Sequence, residues 1–262
     1  MELREVIGNR RSTRFLLPHK PVEPEKIQRM LEAARIASHW GNVQSLRAFV
    51  VFRDSAPPTT LDALQAPIAG FQIRLAPVVI VWYLESAAVD EQSDRLRQLL
   101  DAGALGFGKD KKQALETQLI PIFDGLRESL KQPGLNEVDC GQGIAQATLM
   151  AFEQGLGTCC LGTPYGEQIR MGLGLPESCR VLLLQTVGYP AESPEAGGQR
   201  PRQPFEKLFQ MNSLDTPFPR SEKVVEELTR DRLFQAPAPL PWREAELDYL
   251  KNALGLKGHG LI

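Results

Sequence analysis

The sequence predicts an α+β protein in which short apolar strands are flanked by amphipathic helices. Two patterns lead there: apolar residues recur at helical spacing in two long stretches, and several short runs rich in valine and leucine have the length of strands. A third observation bounds the size. The chain has 262 residues, 42% hydrophobic and 24% charged, enough for one sizeable core or two small domains and unlike a disordered chain.

The elements follow in order. In "EPEKIQRMLEAARIAS", Pro24 suits a first helical position, and Ile27, Met30, Leu31 and Ala34 share one face. After a Gly-Asn break, "LRAFVVF" (Leu46 to Phe52) is short and β-branched enough to be a strand. "APVVIVWYL" is apolar throughout, as a strand buried on both faces requires. From Asp90 to Leu130 the pattern is helical but poorly periodic and highly charged. It predicts an excursion that covers the core and carries substrate contacts. "EVDCGQGIAQATLMAFEQGLG" is a second strong helix, with Ile144, Ala147 and Ala151 on one stripe and Gly155 near its end. That small-residue stripe admits close approach by another helix, from this chain or from a partner.

"TCCLG" then predicts a short strand ending at Gly162, and "RVLLLQTVGYP" a buried strand closed by a turn. "SPEAGGQRPRQP" is a loop by composition. Beyond Phe205 come two short helical patterns, near Glu222 to Asp231 and Glu244 to Leu254, separated by the extended spacer "APAPLP". The tail has too few apolar residues for a core of its own and must pack on something else. The expected division is therefore 1–204 as the main domain and 205–262 as a C-terminal extension that clasps a partner copy of the chain, the alternative being that it folds back on its own subunit.

Several functions are disfavoured. A net charge of -2 and a pI near 6.0 give no reason to expect nucleic acid or an anionic membrane as partner. No apolar run has the length of a membrane span, and the N-terminus lacks the apolar stretch of a signal peptide, so the expected location is cytoplasmic. Cys140, Cys159, Cys160 and Cys179 form no C-x-x-C pair, and His19, His39 and His259 are scattered, so no metal site is expected. "GALGFGKDKK" lacks the Ser or Thr of a phosphate loop, and no G-x-G-x-x-G follows a strand.

One stretch stands out against this neutral background. "RRSTRFLLPHKPV" places Arg10, Arg11 and Arg14 around Ser12. It reads either as a solvated basic turn ahead of a helix or as an anion site where guanidinium forks and a hydroxyl meet a phosphate.

Four pieces, in order, resemble the FMN-dependent nitroreductase family: "RRSTRFLLPHKPV", "LEAARIASHWGNVQSLRAFVV", "AFEQGLGTCCLG" and "VGYPAE…QRPRQPFEKL". The resemblance covers about Arg10 to Leu208. It implies a three-layer α/β/α fold with a mixed, mostly antiparallel sheet, in an intertwined homodimer with FMN at the interface. It further implies that Arg10, Ser12, Arg200 and Arg202 gather at the FMN phosphate, with Arg11 also among the cofactor-binding residues. Arg14 would lie toward the pyrimidine edge of the flavin, where a fixed positive charge favours hydride acceptance.

Ala37, Ser38, His39 and Asn42 would reach a flavin held mainly by the other subunit. Gln44 and Gln72 would be amide partners of the ribityl chain or ring edge; the alternative for each is an exposed loop residue. Leu161, Gly162 and Thr163 would run beside the ring, with Gly162 otherwise a plain strand-end glycine. The implied activity is hydride transfer from NAD(P)H through FMN to a small-molecule acceptor (a nitroaromatic, quinone or activated alkene) by a ping-pong route. No catalytic side chain is called for, because the flavin carries the chemistry. A reductive dehalogenase or a flavin-fragmenting oxidase on the same scaffold, or a non-catalytic flavin sensor or store, are the alternatives. Ala37 replaces the family's usual proline, and Ser45-Leu46 its Pro-Trp pair, so substrate identity is what these departures leave open.

Overall fold

In the computed structural model, which describes residues 2–66 and 68–260, a four-stranded sheet organises the chain. Its strands are β1 (Leu46–Phe52), β2 (Val78–Glu85), β3 (Gly157–Leu161) and β4 (Cys179–Gly188), in the order β1-β2-β4-β3. All three pairings are antiparallel. Among the described residues, the one parallel pairing against this sheet is an isolated bridge between Ser12 and Thr158. Strand β2 lies between two neighbours, which explains its unbroken apolar sequence.

Strand alternation sorts β2 onto two faces. Val78, Ile80 and Trp82 pack with Ile27, Met30 and Ala34 of α2 (Pro24–Arg35) and with Ile144, Ala147 and Ala151 of α8 (Leu135–Glu153). Val79 and Val81 instead meet Leu64, Ile73 and Ile169. That second layer is built around α3 (Pro58–Ala63), α4 (Phe71–Leu75) and α9 (Gly166–Gly172). The molecule is thus a three-layer α/β/α sandwich, as the sequence predicts. The small-residue stripe of α8 receives α2 of the same chain: a Cβ on Gly143 would lie 3.1 Å from the Ala34 carbonyl oxygen and 2.5 Å from the Leu46 side chain.

Two readings are sharpened. The basic stretch does not precede a helix as a turn. It follows a helix, α1 (Leu3–Asn9), and runs extended beside the sheet, with Thr13 N–H donating to the Thr158 carbonyl and Leu17 N–H to the Tyr189 carbonyl, each at 2.9 Å. The excursion is also more ordered than its periodicity suggests. It contains α5 (Gln92–Asp101), α6 (Lys111–Ala114) and α7 (Ile120–Lys131), which share a small cluster of Leu96, Leu100, Leu115 and Ile120. It packs against the loop after α2, where Trp40 stacks on Phe123 at 4.6 Å.

The tail divides in two. Helix α10 (Phe205–Leu208) and the hairpin of β5 (Gln210–Met211) and β6 (Ser213–Pro217) stand in solvent, with Leu214 90% exposed. Helices α11 (Glu222–Arg230) and α12 (Arg243–Ala253) lie on their own chain. Leu250 of α12 is buried with Phe15, Phe71 and Leu75, and Arg4 of α1 pairs with Glu227 at 3.0 Å. The "APAPLP" spacer is not free of hydrogen bonds: Gln199 N–H donates to the Ala236 carbonyl and Ala238 N–H to the Gln199 carbonyl. Leu261 and Ile262 of the expected tail lie outside the described residues. No helix among the described residues is long and apolar enough to cross a membrane.

Candidate functional site

The extended basic segment and the loop after β4 bring the arginines together. Arg10 closes the end of α1, and Arg11 bonds back through Nη1 to the carbonyls of Gly8 and Arg10. Its Nε and Nη2 are buried with no hydrogen-bond partner. Burial, and then the nearby charges of Arg10, Arg200 and Arg202, pull Arg11 below the ordinary arginine value. Arg200 is shifted the same way by burial and by Arg14 and Arg243, with Glu192 opposing. Its guanidinium bonds the carbonyls of Ala196 at 2.6 Å and Gly198 at 3.2 Å. Buried donors without acceptors, amid mutually repelling cations, are costly unless an anion is accommodated there.

Arg14 is fixed from behind. Its backbone N–H and that of Phe15 both donate to Glu192, whose side chain is 1% exposed and pairs at 2.6 Å with Arg243 of α12. Arg243 also pairs with Glu246, which accepts the backbone N–H of Ser193. Sequence reading alone misses Glu192 and Arg243. They are far apart in the chain, and neither sits in a periodic pattern that would mark it. The Arg14 guanidinium, held to the Ser12 carbonyl at 3.2 Å, borders a cavity of about 560 Å³.

Ser12 and Cys159 are neighbours at the start of β3. Burial pushes the Cys159 thiol up, against the opposing charges of Arg14 and Arg10. All four cysteines are free. Leu161 ends β3 and packs on the α3/α9 layer. Gly162 is exposed, with open space where a side chain would project, so this edge presents bare backbone. The Thr163 hydroxyl is engaged structurally, donating to the Gln65 carbonyl and accepting from Tyr165 N–H. Gln72 is no exposed loop residue: it lies in α4, 2% exposed, with Oε1 unpartnered.

The second predicted group lies elsewhere. Ala37 is buried, Ser38 exposed, and His39, Asn42 and Gln44 half-buried. Asn42 and Gln44 both have φ of 55°, a left-handed conformation costing on the order of 1–2 kcal/mol in a non-glycine residue. Trp40 N–H anchors this loop to Asp139 at 2.7 Å. Burial lowers the His39 pKa and Asp139 partly restores it; His39 Nδ1 is buried without a partner.

Comparison with known proteins shows the family and the fold. A sequence model of the Nitroreductase family matches residues 7–189, and the chain belongs to that family. Among solved structures it is similar to a protein described as a nitroreductase, in complex with FMN, from Exiguobacterium sibiricum. The two are 21% identical with a TM-score of 0.64, over 81% of this chain and 98% of that one. A nitroreductase family protein from Streptococcus pneumoniae shows 21% identity and a TM-score of 0.60, over 80% of this chain and 100% of that one. A protein described as an NAD(P)H:FMN oxidoreductase from Staphylococcus epidermidis shows 18% identity and a TM-score of 0.64, over 80% of this chain and 95% of that one. No curated protein sequence matches the chain. These structures share the fold, and this chain extends beyond them.

Proposed function

We propose that the protein is an FMN-dependent oxidoreductase that passes hydride from NAD(P)H to a small acceptor such as a nitroaromatic, quinone or activated alkene. The observation that carries this reading is the pair of buried, unpartnered Arg11 nitrogens inside the arginine cluster. A phosphate dianion beside the cluster would offset the crowded charge of Arg10, Arg11, Arg200 and Arg202. Arg10, Ser12, Arg200 and Arg202 complete that shell, and Arg14 carries positive charge inward from it. Bound FMN supplies reversible hydride transfer, so the chain itself needs no nucleophile. The open backbone at Gly162 leaves room for a planar ring. The family, and neighbours described as an FMN complex and an NAD(P)H:FMN oxidoreductase, support the cofactor and the donor.

Residues 37–44, Gln44 included, would complete the site from a second copy of the chain, as the likeness to the family implies. The exposed tail segment around Phe205 and Phe209 is the part we assign to holding that copy. Removing the tail after Asn212 should loosen the dimer and the flavin together, and light scattering with flavin retention would read both. An intact, fully flavinated dimer would overturn the assignment. The cofactor reading is tested by titrating apoprotein with FMN and with FAD, then reducing the bound flavin anaerobically with NADH or NADPH in a stopped-flow instrument. Preferential FMN binding and rapid reduction are expected. Absence of flavin binding, or bound FMN that neither nucleotide reduces, would sink the reading.

A further inference from the structure

The cavity beside Arg14 is only half built by the family domain. One side is Arg14, Phe15, Phe71 and Arg200; the other is the tail, from Leu247 of α12 to Gly260. The family match ends at residue 189, so the second wall belongs to the chain's extension. The tail side presents Lys251, Lys257 and His259 with the carboxylate of Asp248, and among the described residues neither lysine is in an ion pair. On the domain side the Arg14 and Arg200 side chains bond only carbonyl oxygens. Arg243 also borders the space, but its charge is committed to Glu192 and Glu246.

Between these charges the lining is apolar and aromatic. Phe15 and Phe71 lie 5.5 Å apart, centroid to centroid, and Leu247 and Leu256 close the tail side. A volume of about 560 Å³ is within the usual range for small-molecule sites. The wall is held in place before any ligand arrives: Leu250 is buried under it and the Arg243–Glu192 pair fixes its first turn. Such preorganisation reduces the ordering cost of binding.

We propose that this cavity is a ligand site distinct from the cofactor's, and that it takes a planar aromatic carboxylate. The aromatic body lies against Phe15 and Phe71, and the carboxylate faces Lys251 and Lys257. The proposal rests on the flavin reading only where Arg14 and Arg200 are shared. With FMN bound those two arginines serve the cofactor, and the tail lysines hold the second anion. In the enzyme this would select acceptors that carry a negative charge.

The test uses 2-naphthoate and its neutral isostere 2-naphthamide, titrated calorimetrically into the full-length protein with and without saturating FMN. Naphthoate should bind more tightly than the amide in both states. In K251Q/K257Q, naphthoate should weaken roughly five- to tenfold, about what two exposed charge contacts supply, with the amide and FMN unchanged. Both lysines are exposed, and an unaltered thermal transition would verify that the variant folds. Displacement of naphthoate by FMN would overturn the proposal, since the cavity would then be the cofactor's own berth. Equal binding of acid and amide, or an unaffected variant, would overturn it too. If naphthoate behaves as expected but no flavin binds, the oxidoreductase reading fails and the cavity assignment stands.

Discussion

The arginine cluster and the loop at residues 37–44 are both read as parts of one cofactor site, yet they are built in opposite ways. The cluster is held from behind by a buried carboxylate and by a helix from the tail. Its strain is electrostatic: unpartnered donors and crowded positive charge. The loop is pinned at its start, by Asp139 and by the stacking of Trp40 on Phe123, and its strain is conformational, in two left-handed residues. A phosphate site gains from fixed charge, because preorganised donors need no rearrangement when the anion arrives. A loop that serves a ligand on another subunit gains from shape.

The difference can be broken most forcefully at Glu192. Glu192→Ala leaves Arg243 with half its pairing and orphans the N–H groups of Arg14 and Phe15. Loss of one member of a buried pair costs about 3–5 kcal/mol, so the urea midpoint should fall sharply at an unchanged slope. A shift under about 1 kcal/mol would mean the cluster is not held from behind.

Arg11→Ala should act with opposite signs on binding and folding. FMN should weaken ten- to over a hundred-fold in an equilibrium titration, for loss of a charge-assisted contact worth about 1.5–3 kcal/mol. The apoprotein should hold or gain stability, because a buried cation repelled by Arg10, Arg200 and Arg202 is gone. Arg202→Ala, at an exposed position, should weaken FMN less.

The smallest effect belongs to the loop. The folded-state pKa of His39 lies below its ordinary value, so as pH falls through about 6.5 the unfolded chain takes up the proton first. Stability should therefore decline below that pH and level off once the folded-state pKa is passed. His39→Gln should flatten that part of the profile, and Asp139→Asn should extend the decline to lower pH by removing the charge that favours protonation. An unchanged profile in both variants would remove His39 as its source.

What the sequence reveals follows from how local each signal is. The continuous apolar run of β2 and the periodic faces of α2 and α8 carry their burial in a few consecutive residues, so strands, helices and layers are legible. Arg10, Ser12, Arg14, Arg200 and Arg202 are legible because the basic residues cluster in two short motifs. Helix α1 is not, since only Val6 and Gly8 of its seven residues are buried. The Glu192–Arg243 pair is invisible for a different reason. Fifty-one positions separate its partners, and a lone Glu or Arg in a polar stretch ordinarily faces water.

The bridge between Ser12 and Thr158 has one more consequence. Strand β3 is an edge of the sheet, paired with β4 on one side only. Thr13 donates to the Thr158 carbonyl on the other side, and its side chain occupies the space a Cβ on Gly157 would need. The segment that presents Ser12 is thus also a cover over an exposed ladder, the kind of edge that otherwise recruits strands from neighbouring molecules. Losing the chain through Thr13 would remove part of the basic cluster and open the start of β3 to aggregation.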